Sequence, residues 1–216
     1  MAAAVPSFDK AAAGANTVAR EFLKGPKKLL IGGKWIEAKS GKTFETVNPA
    51  NEEVLGLVAG GDKADVDEAV RTARKTFEEG KWASMGPHQR ARHLCTIAQL
   101  IEAHGEELAE LITLDNGKPI VESRVEVDRT TETFRYCAGW SAKFYGETNP
   151  SSSEFFNCTL REPIGVCGQI ITLNGLPISW KVAPALAFAN TLVLKRAEQT
   201  PLPDLYTQIK SVYKKL

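Results

Sequence analysis

Apolar positions recur with helical spacing through the middle of the chain. Val66, Ala69, Val70, Ala73 and Phe77 fall at i, i+3, i+4, i+7 and i+11, which predicts a helix with these residues on one face. Asp62 or Asp65 can cap its start, and Gly80 ends it. A second helix is predicted over 87–104, with Pro87 in its first turn and Leu94, Ile97, Ala98 and Ile101 on one side. A third, over 106–114, buries Leu108, Leu111 and Ile112, and Asn116-Gly117 closes it. A fourth spans about 121–145 and ends near Gly146.

On either side of this helical middle the period is that of strands. The run Leu29-Leu-Ile-Gly-Gly-Lys-Trp35 reads as a hairpin around a Gly-Gly turn. Segments 43–48 and 53–58 read as short strands about the Asn48-Pro49-Ala50-Asn51 turn. After a loop at Asn149-Pro-Ser-Ser-Ser, residues 155–162 look extended. Then come a strand over 164–171, a helix over 180–189, an apolar strand over 190–195 and an amphipathic helix over 203–215. Strand, helix, strand, helix with apolar strands is the pattern of an α/β parallel sheet covered on both faces. The 190–195 strand would then be interior; with two parallel strands it is expected to leave an apolar edge and a marginal fold.

Composition narrows the class. Of 216 residues 43% are hydrophobic and 25% charged, which excludes a wholly disordered or collagen-like chain. Lys+Arg 27 against Asp+Glu 26 gives a net charge of +1, so no nucleic-acid partner is expected. No stretch approaches the roughly 20 apolar residues of a membrane span. Residues 1–28 read as an alanine-rich N-terminal arm, loose or partly helical, and residues 29–216 as one partial domain. The arm lacks the apolar core of a secretory signal, and the expected location is cytoplasmic, with a mitochondrial transit peptide as the alternative.

Four cysteines, Cys95, Cys137, Cys158 and Cys167, and three histidines show no zinc spacing, so no metal is expected. The cysteines read as small hydrophobes. The candidate chemistry lies at the carboxyl ends of the two predicted parallel strands, where open sheets bind ligands. Asn174 follows the first, and its amide can donate to a developing oxyanion; Asn174-Gly175 as a simple turn stays open. The second ends in Lys195-Arg196-Ala197-Glu198, where a carboxylate and an ammonium can meet ribose hydroxyls. A solvated charge cluster is the competing reading. No G-x-G-x-x-G follows the first strand.

Taken in order, many short signatures resemble the NAD(P)-dependent aldehyde dehydrogenases. They are Leu30-Ile-Gly-Gly-Lys-Trp35, Val47-Asn-Pro-Ala50, Leu114-Asp-Asn-Gly-Lys-Pro119, Tyr136-Cys-Ala-Gly-Trp140, Arg161-Glu-Pro-Ile-Gly-Val166, Trp180-Lys-Val-Ala-Pro-Ala-Leu186, Asn190-Thr-Leu-Val-Leu-Lys195 and Ala197-Glu-Gln-Thr-Pro201. The resemblance implies the start of a Rossmann-like open parallel sheet with a helical N-terminal region, an incomplete form of that fold. It implies NAD as cofactor, with NADP as the alternative, and a small-molecule aldehyde oxidised to a carboxylic acid. Ile171 matches a residue contacting the cofactor, Lys195 and Glu198 match residues at the adenosine ribose, and Asn174 matches the asparagine that helps hold the oxyanion. It also implies a homo-oligomer, or association with a full-length relative, through strands such as 155–162.

The chain departs from the family in ways that set further expectations. The family's nucleophilic cysteine and general-base glutamate are expected beyond position 216, and none of the four cysteines lies in a segment like the nucleophile's motif. The chain is therefore expected to be truncated and inactive alone, with a non-catalytic relic or regulator as the alternative. Around Asn174 the sequence reads Thr172-Leu-Asn-Gly-Leu176 where the family has Pro-Trp-Asn-Phe-Pro, and Arg196 stands where the family has proline.

Overall fold

The computed structural model describes residues 17–171, 176–199 and 201–202. The predicted turn at Asn174-Gly175 and the helix over 203–215 lie outside the described residues. Helix α1 (Thr17–Leu23) leads into hairpin β1 (Leu29–Ile31) and β2 (Lys34–Ile36), then hairpin β3 (Thr43–Val47) and β4 (Val54–Ala59). Gly32 and Gly33 turn the first hairpin at φ of 60° and 75°, the region glycine enters without a Cβ clash. Five helices follow: α2 (Lys63–Glu79), α3 (Lys81–Ser84), α4 (Pro87–Ala103), α5 (Gly105–Asn116) and α6 (Ile120–Trp140). The two-residue strands β5 (Thr148–Asn149) and β6 (Asn157–Cys158) pair antiparallel, and β7 (Val166–Ile170), α7 (Leu176–Ala187) and β8 (Thr191–Lys195) complete the described chain.

The predicted parallel pairing is present. Strands β7 and β8 run side by side with Val166 opposite Thr191 and Ile170 opposite Lys195. Asn190 fixes their amino ends: its Oδ1 accepts from the Gly165 amide at 3.0 Å, and its Nδ2 donates to the Ala185 carbonyl at 3.2 Å. Helix α2 lies against the pair, where the Thr191 hydroxyl donates to the Ala73 carbonyl at 3.0 Å.

Two apolar clusters hold these pieces. The larger joins α4, α5, α6 and α7 through Leu94, Ile101, Leu108, Phe134 and Leu186. The smaller joins α1, β4 and α5 through Ala19, Leu23, Leu55, Val58 and Leu111, and Leu202 inserts into it from beyond β8. Helix α5 serves both, with Leu108 and Ile112 turned one way and Leu111 the other. It ends on Gly117 at φ 76°, where a Cβ would lie 2.7 Å from Pro49 Cγ, so left-handed geometry and tight packing both select glycine.

Four expectations need correction. Helix α2 is rotated from its predicted face: Ala73 and Asp65 are buried, whereas Val66 and Val70 are 49% and 43% exposed. The cap sets that rotation. Asp62 accepts from the Ala64 amide at 2.9 Å, Asp65 accepts from the Asp62 amide at 3.0 Å, and Asp65 also takes the Lys39 amide at 3.1 Å. Burial raises the Asp65 carboxyl, yet those amide bonds outweigh it and hold the group below its ordinary range. The fourth long helix stops at Trp140, five residues early, because the Ser141 and Lys143 amides turn to carbonyls three residues back just after Gly139. The 155–162 strand shrinks to Asn157–Cys158, since Pro150 has no amide to extend the ladder past Asn149. Cys95 and Cys158 are exposed and Cys167 is half-buried, so Cys137 alone is a fully buried small hydrophobe, and burial pushes its thiol up.

Candidate functional site

The carboxyl ends of β7 and β8 bring together three of the four predicted site residues. The Ile171 amide donates to the Lys195 carbonyl at 2.8 Å, which continues the parallel ladder one residue past β7. Ile171 is 2% exposed, so its side chain can floor a site but not reach out of it. Lys195 ends β8, and its Nζ stands 3.8 Å from Glu198 Oε1, with both side chains mostly in solvent. An exposed pair of this kind adds little to stability. Its donor and acceptor therefore remain available to a ligand. Asn174 lies outside the described residues.

The surroundings are built by α7. Lys181 Nζ donates to the Ile170 carbonyl, and Gln169 Nε2 donates to the Lys181 carbonyl at 2.8 Å, so the first turns of α7 are tied back to β7. Trp180, on the outer side of this helix, is 61% exposed.

Beneath the segment after β8 lies a carboxylate whose role is not visible from its sequence motif. Asp115, on the last turn of α5, is 2% exposed. Its Oδ1 accepts from the Thr46 hydroxyl at 2.7 Å and its Oδ2 from the Leu202 amide at 2.8 Å. Burial pushes its pKa up to about 6, against the pull of those two hydrogen bonds and of the Arg196 guanidinium. A signal was present in the sequence. Asp115 follows the apolar Leu108, Leu111 and Ile112 at helical spacing, and a carboxylate ending the apolar side of a helix calls for partners.

Among the described residues no group of three or more His, Cys, Asp or Glu side chains is placed to hold a metal. No described helix is long and apolar enough to cross a membrane.

A sequence model of the aldehyde dehydrogenase family matches residues 35–209. This chain belongs to the aldehyde dehydrogenase family. It is 49% identical over 184 residues to human "Aldehyde dehydrogenase, mitochondrial", covering 83% of this chain and 35% of that protein. It is 46% identical over 202 residues to "Aldehyde dehydrogenase family 2 member B4, mitochondrial" of Arabidopsis thaliana, covering 89% of this chain and 38% of the relative. The fold is similar to the NAD+ complex structure of aldehyde dehydrogenase from Bacillus cereus, with a TM-score of 0.87 and 46% identity over 89% of this chain and 40% of that one. The chain thus spans well under half the length of these aldehyde dehydrogenases. Its α/β architecture is the expected incomplete form of their fold.

Proposed function

We propose that this chain forms the part of an NAD(P)-dependent aldehyde dehydrogenase that receives the adenosine ribose of the cofactor, in an enzyme oxidising aldehydes to carboxylic acids. The observation that carries this is the exposed Lys195–Glu198 pair at the carboxyl end of the parallel strands of an aldehyde dehydrogenase fold. The residues fit the group. A carboxylate accepts from a ribose hydroxyl, an ammonium donates to one, and Ile171 supplies an apolar floor. The negative charge of Glu198 disfavours a 2′-phosphate, so NAD is the preferred cofactor and NADP the alternative. When bound, the nicotinamide accepts the hydride of the aldehyde. Asn174 is assigned to donate its side-chain amide to the substrate oxyanion. Residues 29–216 supply this part of the cofactor-binding domain, following the arm of residues 1–28. The setting is cytoplasmic or mitochondrial.

No cysteine of the chain is assigned as nucleophile. The Cys137 thiol is pushed up by burial, which disfavours thiolate, and Cys95 sits exposed on α4. These 216 residues are therefore proposed to bind nucleotide without producing NADH. Calorimetric titration with NAD+ tests the reading. Saturable binding, weakened several-fold in Glu198→Gln and weaker still for NADP+, is expected. Binding that Glu198→Gln leaves untouched would remove the assignment.

A second reading, association with a full-length relative or another copy, has its own support. Phe155, Phe156, Leu160 and Ile164 flank the β5–β6 hairpin and are each more than two-thirds exposed. Apolar exposure on that scale marks an interaction surface. Mixing the chain with a full-length aldehyde dehydrogenase and reading the mass of the assembly tests it; unchanged masses would count against it.

A further inference from the structure

We infer that Asp115 is a positioning residue for the nucleotide site, pinning the segment after β8 so that Lys195 and Glu198 are held at the sheet end. The inference rests on the ribose reading above for what that segment does, and on independent geometry for how it is held. Asp115 stands on α5, far from β7 and β8 in sequence, yet its Oδ2 receives the Leu202 amide at 2.8 Å. Four residues before Asp115 on the same helix, Leu111 packs in the apolar cluster that Leu202 enters. The segment leaving β8 is thus fastened at one point twice, by its backbone to a carboxylate and by its side chain to a core.

The other end of the segment is fastened to β7, through the Lys195 carbonyl and the Ile171 amide. Lys195 is thus the outer anchor, and Glu198 lies between it and the inner one. The opposite oxygen of Asp115 is fixed by Thr46 of β3, so the carboxylate cannot swing away from Leu202 without losing a 2.7 Å bond. Among the described residues the charged group acting on Asp115 is Arg196, from the same segment; β3 contributes the neutral Thr46 hydroxyl, and α5 contributes the apolar Leu111. A hydrogen bond to a buried carboxylate weakens when that carboxylate takes a proton. Protonation therefore loosens the inner anchor.

The test labels the full chain with 15N and follows the Leu202, Lys195 and Glu198 amides between pH 4.5 and 7.5, with NAD+ affinity measured across the same range. In the wild type the Leu202 amide proton is expected to titrate, and affinity to fall about three- to ten-fold toward the acid end. In Asp115→Asn both profiles should flatten, with affinity at pH 7.5 lowered by a similar factor. A variant that only damaged the fold would lower affinity without flattening the profile. Should Asp115→Asn not fold, the wild-type titration and Thr46→Val, which is expected to move the Leu202 midpoint upward, still decide. A Leu202 amide that does not titrate overturns the inference, as does one that titrates while NAD+ affinity stays constant. If the wild type binds no NAD+ at any pH, the ribose reading falls instead. The pinning is then judged by the Lys195 and Glu198 amides, which must shift in Asp115→Asn and, unmoved, overturn it.

Discussion

The hydroxyl of Thr46 donates a 2.7 Å hydrogen bond to Asp115 Oδ1, joining strand β3 to the last turn of α5 across 69 residues of sequence. The carboxylate is almost wholly buried there, and burial wins over its two hydrogen bonds and the nearby Arg196 charge, leaving its pKa at about 6.

That balance fixes a pH dependence of stability. A carboxyl whose pKa is raised on folding binds its proton more tightly in the folded chain, so the contribution is fully present below the unfolded value of 3.8. It is lost as pH rises through about 6. The expected loss is on the order of 2–3 kcal/mol. Other carboxyls such as Asp65 push the opposite way, so the quantity to measure is the difference between wild type and Asp115→Asn in urea unfolding at pH 4 and pH 7. The variant should gain on the wild type by that amount across this interval.

Removing the exposed pair at the sheet end should separate stability from binding. Lys195→Ala and Glu198→Gln each take away one member of a contact 3.8 Å long that solvent already screens. Unfolding free energy should change by less than about 0.5 kcal/mol. NAD+ affinity should fall several-fold in the same proteins. A large stability loss would mean that the pair is structural.

The cysteines offer a chemical readout of the fold. Cys95 and Cys158 are exposed, while Cys137 is buried in the helical cluster with its thiol pushed up. A disulfide reagent in large excess should label Cys95 and Cys158 within the first phase and reach Cys137 only on unfolding. Labelling of Cys137 at the rate of Cys95 would show that the α4–α6 packing is open.

Gly117 should not tolerate a side chain. At φ 76° an alanine pays the left-handed penalty, and its Cβ would stand 2.7 Å from Pro49 Cγ, which belongs to the turn between β3 and β4. Gly117→Ala is expected to cost about 1–3 kcal/mol, read as a lowered Tm.

Much of this architecture was legible in the residue pattern, for identifiable reasons. The hairpin at Gly32-Gly33 and the end of α5 at Gly117 were readable because left-handed turns demand glycine. The β7–β8 pairing was readable because both strands are rich in apolar residues and a helix-length segment separates them, although Ile170 is left 68% exposed rather than covered. The face of α2 was not, since spacing cannot tell that a capping Asp65 will be drawn inside by the amides of Asp62 and Lys39. The short β6 was hidden by the apolar run around it, where exposure to solvent rather than pairing is the outcome for Phe155, Phe156 and Leu160. Of the site, Ile171, Lys195 and Glu198 lie at the strand ends, and Asn174 lies outside the described residues. The role of Asp115 is hidden in the sequence because its partners, Thr46 and Leu202, lie 69 and 87 residues away along the chain.

Helix α5 turns Leu108 and Ile112 toward one cluster and Leu111 toward the other. It is a party wall between two rooms. A substitution that lets it tilt to fill a void on one side must pull its side chains out of register on the other, so repacking either room independently is closed to this sequence. Variation along α5 should accordingly be confined to the narrow strip of the helix that neither room uses.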